Sequence, residues 1–238
     1  MGSGKGGAGG GGGGGGGPTK QPVQPAQPAE EVLDPVDKKG YNLYDDPAMI
    51  DDVNPGGTLT GTGKMASDLP EKDRQAIEAY TGKIVPGGEK YTGLNAEKLN
   101  EYLRGADYPG EMVKRARNYT KELNANLSKV RSYKGETYRI VRDSGGGIAQ
   151  KYTSGNIVRQ PDFISASRST MASSFPYARA KQGFTRFKIQ SKTGKPIEGV
   201  SRFPGEMEVL YKSGTKFSVT SKTWNSARNT WDIELTEL

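Results

Sequence analysis

Apolar positions follow two different periods in the two halves of this chain. From Glu111 to Ser128, Met112, Val113, Ala116, Tyr119, Leu123 and Leu127 fall at helical spacing and form one stripe for burial. Two shorter helices are predicted ahead of it. Asp68 with Glu71 three residues on fits a capping box, Pro70 suits a first turn, and Gly82 is a stop, giving a helix from about Leu69 to Tyr80. Asn95 opens a second, with Leu99, Tyr102 and Leu103 on one face and Gly105 as a left-handed stop. After Lys134-Gly135 the pattern changes to alternation. Strands are predicted at Glu136 to Arg142, Ile157 to Ser165, Thr185 to Ser191, Met207 to Tyr211, Lys216 to Thr220 and Thr230 to Leu235. A short helical piece falls near Ser169 to Ala180, and Lys212 to Thr215 reads as a hairpin turn. Helices followed by a run of strands predict an α+β domain rather than a doubly wound parallel sheet.

The first 57 residues carry neither period. Met1 to Gly17 is nearly all glycine, Pro18 to Pro35 is rich in Pro, Gln and Ala, and an acidic stretch then runs from Glu30 to Pro55-Gly56-Gly57. Such composition cannot bury enough surface to offset the entropy of ordering, so a disordered leader and linker over 1–57 is expected before one folded domain at 58–238. The opening G-S-G-K-G-G has no strand before it or helix after it, and so does not read as a phosphate-binding loop. With no apolar run long enough to span a bilayer or act as a secretory signal, synthesis in a cytoplasm is expected.

Composition narrows the chemistry. The chain has no cysteine and no histidine, which excludes thiol nucleophiles, imidazole bases and metal sites built on either. Catalysis must use carboxylates, hydroxyls, Lys, Arg or Tyr. The net charge of +7 is spread over the sequence and favours anionic partners without choosing among them. Three polar groups stand out in the strand-rich half: Arg139 within Y-R-I, the serines Ser165 and Ser167 of F-I-S-A-S, and Glu206 and Glu208 of E-M-E. Two carboxylates two apart on a strand share a face and look into the same space. Each group alone also reads as structural: an exposed acid pair, a strand arginine in an ion pair, serines in a turn. Together they fit recognition of a phosphate and ribose by Arg and Ser, with a carboxylate opposite developing positive charge.

Y-R at 138–139, S-A-S at 165–167 and E-M-E-V-L at 206–210 followed by G-T-K-F at 214–217 resemble the Arg, Ser, Glu class of mono-ADP-ribosyltransferases. A-I-E-A-Y-T-G at 76–82 and L-N-A-E-K-L-N-E-Y-L-R at 94–104 are similar to the helical region of the toxin members, so the resemblance covers about 67–238. It implies helices packed on a mostly antiparallel β-sandwich, NAD as substrate and no metal. Arg139 would contact the pyrophosphate or adenosine-side ribose of NAD. Ser165 would orient the catalytic glutamate, and Ser167 would support the strand on the cofactor side. Glu208 would hold the nicotinamide ribose and stabilise its cation as nicotinamide leaves, and Glu206 would engage an acceptor arginine. The segment Lys192 to Gly205 would be a flexible loop presenting Phe203 to a protein target; Phe203 reads equally as part of a surface loop. Phe175 reads either as a nicotinamide-stacking ring or as core of a short helix. Ala166 and Ile140 depart from the family's usual residues at their positions.

The resemblance thus implies a bacterial toxin or effector, delivered to a target cell, that transfers ADP-ribose to a target-protein arginine. An immunity protein or a delivery machine are further partners it allows. The alternatives are an NAD glycohydrolase, which needs Glu208 but no acceptor, a non-catalytic binding module keeping the fold, and, as a lesser alternative, an acceptor on nucleic acid.

Overall fold

The computed structural model describes residues 57–143, 145–169, 183–226 and 229–238, all within the compact unit Pro35–Leu238. The expected leader, apart from residue 57, and Phe175 with its short helix lie outside the described residues. Within them the chain forms β1 (Thr58–Thr60), α1 (Glu71–Tyr80), α2 (Ala96–Leu103), α3 (Gly110–Lys129), β2 (Ser132–Arg142), β3 (Ile157–Arg159), β4 (Ile164–Ser167), β5 (Phe184–Pro196), β6 (Glu208–Tyr211), β7 (Lys216–Asn225) and β8 (Thr230–Glu237). Helices precede the main run of strands, and every strand pair is antiparallel except β5 with β8.

The helix starts obey different rules. At α2 the Asn95 side chain accepts from the Lys98 amide at 3.0 Å, a cap that contributes about 1 kcal/mol. At α1 the expected capping box does not form: Asp68 belongs to a preceding 3-10 turn, and Pro70 is the cap residue with no side-chain bond. Proline supplies a φ already near the helical value and needs no donor there, so the helix starts two residues later than expected. Gly82, at φ +86°, follows its last turn, and Gly105, at φ +94°, follows α2. Both conformations are open to glycine at little cost.

Two apolar clusters organise the domain. Ala76, Ile77, Tyr80, Leu99, Ala116, Tyr119, Leu123 and Leu127 from the helices pack against Phe163, Ile197 and Leu210. A second cluster lies among the strands and contains Tyr133, Phe187, Ile189, Val209, Tyr211, Phe217, Ile233 and Leu235. Strand β6 therefore buries both faces. Leu210 meets the helices, while Val209 and Tyr211 meet the other strands. By the same alternation Glu208 shares the Leu210 face and looks toward the helical side.

The expected single strand over 157–165 is two strands. Pro161 cannot donate to a ladder, and the chain turns there, so β3 pairs with β7 whereas β4 pairs with β6 and touches β2. Strand β5 runs longer than its alternation indicated. It pairs with β2 and β8 through most of its length, and then Lys195 and Pro196 pair with β6. The β2–β4–β6–β5 pairings form a closed circuit within an eight-stranded network. Among the described residues no helix is long and apolar enough to cross a membrane.

Candidate active site

Between the helical half and the β4–β6 ladder lies a cleft of about 330 Å³, lined by Tyr80, Thr81, Ala96, Glu97, Asn100, Arg139, Phe163, Ser165, Ser201, Phe203, Glu206 and Glu208. It gathers Arg139, Ser165, Phe203, Glu206 and Glu208 from three separate parts of the sequence. Ser167 is not among the lining residues.

Of the charged residues lining this cleft Glu208 is the most enclosed. It is 6% exposed; Ser165 Oγ donates to Oε1 at 2.5 Å, and Ser201 Oγ donates to Oε2 at 3.4 Å. Burial pushes its carboxyl above the usual carboxylate range, opposed by the two hydroxyls and by the positive charge of Arg139. Arg139 is half-buried and donates through Nη1 to the Ser165 carbonyl at 2.5 Å, which fixes the guanidinium at the strand that carries the serine. Tyr80 joins from the end of α1. Burial foremost, then the Glu208 charge, raises its phenol well beyond the usual tyrosine value, so the hydroxyl stays protonated. Asn100 on α2 donates to that hydroxyl at 3.0 Å and clamps both backbone groups of Phe163, its Nδ2 to the carbonyl at 3.2 Å and its Oδ1 from the amide at 3.1 Å.

The two glutamates reach the cleft by a route different from a shared strand face. Pro204–Glu206 is a 3-10 turn, and β6 starts only at Glu208. Between them Met207 is left-handed, with φ 46° and ψ 48°, a conformation that costs a non-glycine residue about 1–2 kcal/mol. Its surroundings hold it there: Arg168 donates to the Met207 carbonyl at 3.1 Å, and Met207 itself is buried. Ser167 Oγ donates to the Glu206 carbonyl at 2.7 Å and accepts from the Ser169 amide at 2.9 Å. Its hydroxyl thus supports the turn that aims Glu206.

The segment 192–205 is likewise not one flexible loop. Lys192 to Pro196 completes β5, and Ile197, Val200 and Ser201 are buried. Lys192, Thr193 and Gly199 are exposed, and so is Arg202, whose amide donates to Thr81 Oγ1 at 3.0 Å and whose guanidinium lies 5.3 Å from the Phe203 ring centroid. Phe203 is half-buried on the cleft wall.

Arg139 also lines a second groove of about 630 Å³ with Arg104, Lys151 and Arg159 and apolar walls from Ile148, Tyr152, Ile164 and Phe187. One wall is anchored by Asp143, which accepts from the Ile148 and Ala149 amides at 2.9 Å and from Thr185 Oγ1 at 2.7 Å. Among the described residues no cluster of three or more Asp or Glu is placed to hold a metal ion. Tyr80, Asn100 and Ser201 were missed as site residues by sequence reasoning. The first two sit in segments whose resemblance was visible, but only helix docking brings them to β4.

A family model described as NAD:arginine ADP-ribosyltransferase matches residues 63–238. Over 150 residues, 62% of this chain, the sequence is 32% identical to Mav of Mycobacterium avium, provisionally named an NAD(+)–arginine ADP-ribosyltransferase. It is 27% identical over 159 residues, 67% of this chain, to Tre1 of Serratia proteamaculans, named an NAD(+)–protein-arginine ADP-ribosyltransferase. The chain spans only 17% of the length of the first and 31% of the second. Among solved structures it is similar in fold to the ADP-ribosyltransferase Vis in complex with agmatine, with TM-score 0.52 and 22% identity over 73% of this chain and 89% of that one. Vis is described as a toxin from Vibrio splendidus. C3stau2 from S. aureus with NAD also matches, with TM-score 0.52 and 17% identity over the same shares of the two chains.

Proposed function

The chain belongs to the NAD:arginine ADP-ribosyltransferase family, and on that premise we propose that it transfers ADP-ribose from NAD to an arginine of a target protein, releasing nicotinamide. One observation carries the reading. Glu208 is buried and held by Ser165, within a cleft that also presents Arg139 and a second carboxylate on an outer turn. Breaking the bond from ribose to nicotinamide builds positive charge on the sugar. A fixed carboxylate beside it stabilises that charge more in the transition state than in the ground state. Burial raises the proton affinity of Glu208, while Ser165, Ser201 and Arg139 oppose protonation, so the same partners that aim the group keep it available as an anion.

Glu206, half-buried on its turn, is the group for the acceptor. A carboxylate there orients an incoming guanidinium and takes its proton as the new bond to ribose forms. The cleft accommodates the nicotinamide ribose, and the adjoining groove, with Arg104, Arg139, Lys151 and Arg159 near apolar walls, suits the pyrophosphate and adenosine. Residues 58–238 are the catalytic domain in this reading, with its strands as a two-layered sandwich, and residues 1–57 are its leader. The turn of β5 from β2 and β8 toward β6 supports the sandwich. The description of Vis as a toxin supports placing the activity in a target cell after delivery.

The test is incubation with NAD labelled in its adenylate moiety, together with either a cell lysate or agmatine as a small guanidine acceptor. Labelled protein whose modified side chain is arginine by mass spectrometry is expected. Nicotinamide release with label on neither acceptor would leave an NAD glycohydrolase, and no NAD consumption would leave a binding module.

A further inference from the structure

Ser201 lies in none of the motifs that carry the family resemblance most directly, yet its hydroxyl touches both Glu208 and the Phe203 backbone. The residue is 1% exposed. Its amide donates to the Ile197 carbonyl at 2.9 Å, which seats it on the turn after β5 rather than on the exposed tip. Its Oγ donates to Glu208 Oε2 at 3.4 Å and accepts from the Phe203 amide at 3.2 Å. A hydroxyl has one proton and two lone pairs, so the bonds to a carboxylate and from an amide use different capacities of the same oxygen and coexist.

Resting on the reading above, we infer that Ser201 is a positioning residue that sets the orientation and charge of Glu208 and ties them to the loop bearing Phe203. Ser165 alone holds one oxygen of the carboxylate, which leaves rotation about the terminal torsion free, because that torsion is broad for glutamate. A second donor on Oε2 fixes the carboxylate plane, and so fixes which oxygen faces the ribose. The same donor favours the ionised form against the burial that disfavours it. Arg139 and Ser165 are the other groups that stabilise the anion, and the Glu198 charge opposes it, so removing Ser201 shifts a balance to which several groups contribute.

The 3.4 Å separation is at the outer limit for a hydrogen bond. The loop end of the connection is double: the next amide, of Arg202, is held by Thr81 Oγ1 on the other wall of the cleft. A target pressing on Phe203 therefore acts on the residue that holds Glu208. A purely structural role, closing the turn by accepting from Phe203, would leave the titration of Glu208 alone.

The experiment measures NAD consumption and transfer to agmatine across the acidic pH range for the full chain and for Ser201→Ala and Ser201→Thr. For Ser201→Ala, kcat is expected to fall about tenfold, the scale of one hydrogen bond to a charged group, with KM for NAD nearly unchanged. The acidic limb of its pH profile is expected to move to higher pH, because one of the groups holding the Glu208 proton affinity down has gone. Ser201→Thr, which keeps the hydroxyl, is expected to return the limb toward wild type. Should alanine not fold, Ser201→Cys, nearly the same size and a much weaker donor, gives the same readout. An acidic limb that stays in place in the donor-deficient variant overturns the inference whatever the rate. Wild-type protein that consumes no NAD overturns the transferase reading itself, so the two failures are distinct.

Discussion

Replacing Glu208 with glutamine should move activity and stability in opposite directions. Glutamine keeps the size of the side chain, and its carbonyl can accept from Ser165 while its amide faces Ser201 Oγ. What it removes is the negative charge. Loss of one group aimed at developing charge typically costs 10²–10³ in rate, about 3–4 kcal/mol, so Glu208→Gln should turn over NAD at least a hundredfold more slowly. Stability should change the other way. The folded-state carboxyl has a raised proton affinity, dominated by burial, so the native protein binds that proton more tightly than the unfolded chain. Its contribution is fully present below the ordinary carboxylate pKa and is lost as pH rises through the higher folded value. At neutral pH the wild type therefore carries the cost of a desolvated charge and the variant does not. A gain of about 1 kcal/mol would raise Tm by roughly 2–4 °C. The assay pairs labelled-NAD turnover with thermal melts at acidic and neutral pH, and the Tm difference should shrink on acidification. NAD turnover within tenfold of wild type would refute the placement of the reaction at Glu208. A variant less stable than wild type at neutral pH would refute the account of its burial.

Glu206→Gln should abolish transfer to agmatine and to protein arginine while leaving NAD hydrolysis measurable, since Glu206 sits on the 3-10 turn whereas Glu208 is the carboxylate to which Ser165 donates; parallel loss of both would place it with Glu208 instead. Phe203→Ala should lower labelling of a protein target about tenfold or more and transfer to agmatine far less, because an aromatic at an interface contributes mainly to partner contact; equal losses would make the ring part of the chemistry. Asp143 is lowered below the ordinary carboxylate value despite opposing burial, by hydrogen bonds from Thr185 and the amides of Ile148, Ala149 and Gly147. Its stabilisation should be fully present above the unfolded pKa and lost as pH falls through the lower folded value, so Asp143→Asn should flatten acid unfolding measured by circular dichroism and weaken NAD binding through the groove wall.

Much of the fold was legible in the sequence because it depends on local rules. The stripe from Met112 to Leu127 could only be buried as a helix, Asn95 and Gly105 mark α2 by the backbone groups they satisfy, and the alternation after Gly135 marks most of the strand segments. The chemistry-bearing residues Arg139, Ser165, Glu206 and Glu208 could also be singled out, because the motifs that carry the family resemblance contain them. Their geometry was not legible. Period-two reasoning put both glutamates on one strand face, whereas the left-handed Met207, held by Arg168, next to a Glu206 carbonyl held by Ser167, brings them into one cleft from a turn and a strand. No local preference favours that conformation for methionine, and contacts across more than thirty residues of sequence help to hold it. The extension of β5, the break at Pro161 and the second ladder of β4 depended in the same way on which neighbours paired. Tyr80, Asn100 and Ser201 join the site because α1 and α2 dock on β4 and the turn after β5 folds under Glu208. The sequence by itself determined which elements form and which side chains are able to act. The burial that sets the proton affinity of Glu208, and the second hydroxyl that holds it, that of Ser201, came only from the tertiary structure, because desolvation and hydrogen-bond geometry depend on groups brought together by packing.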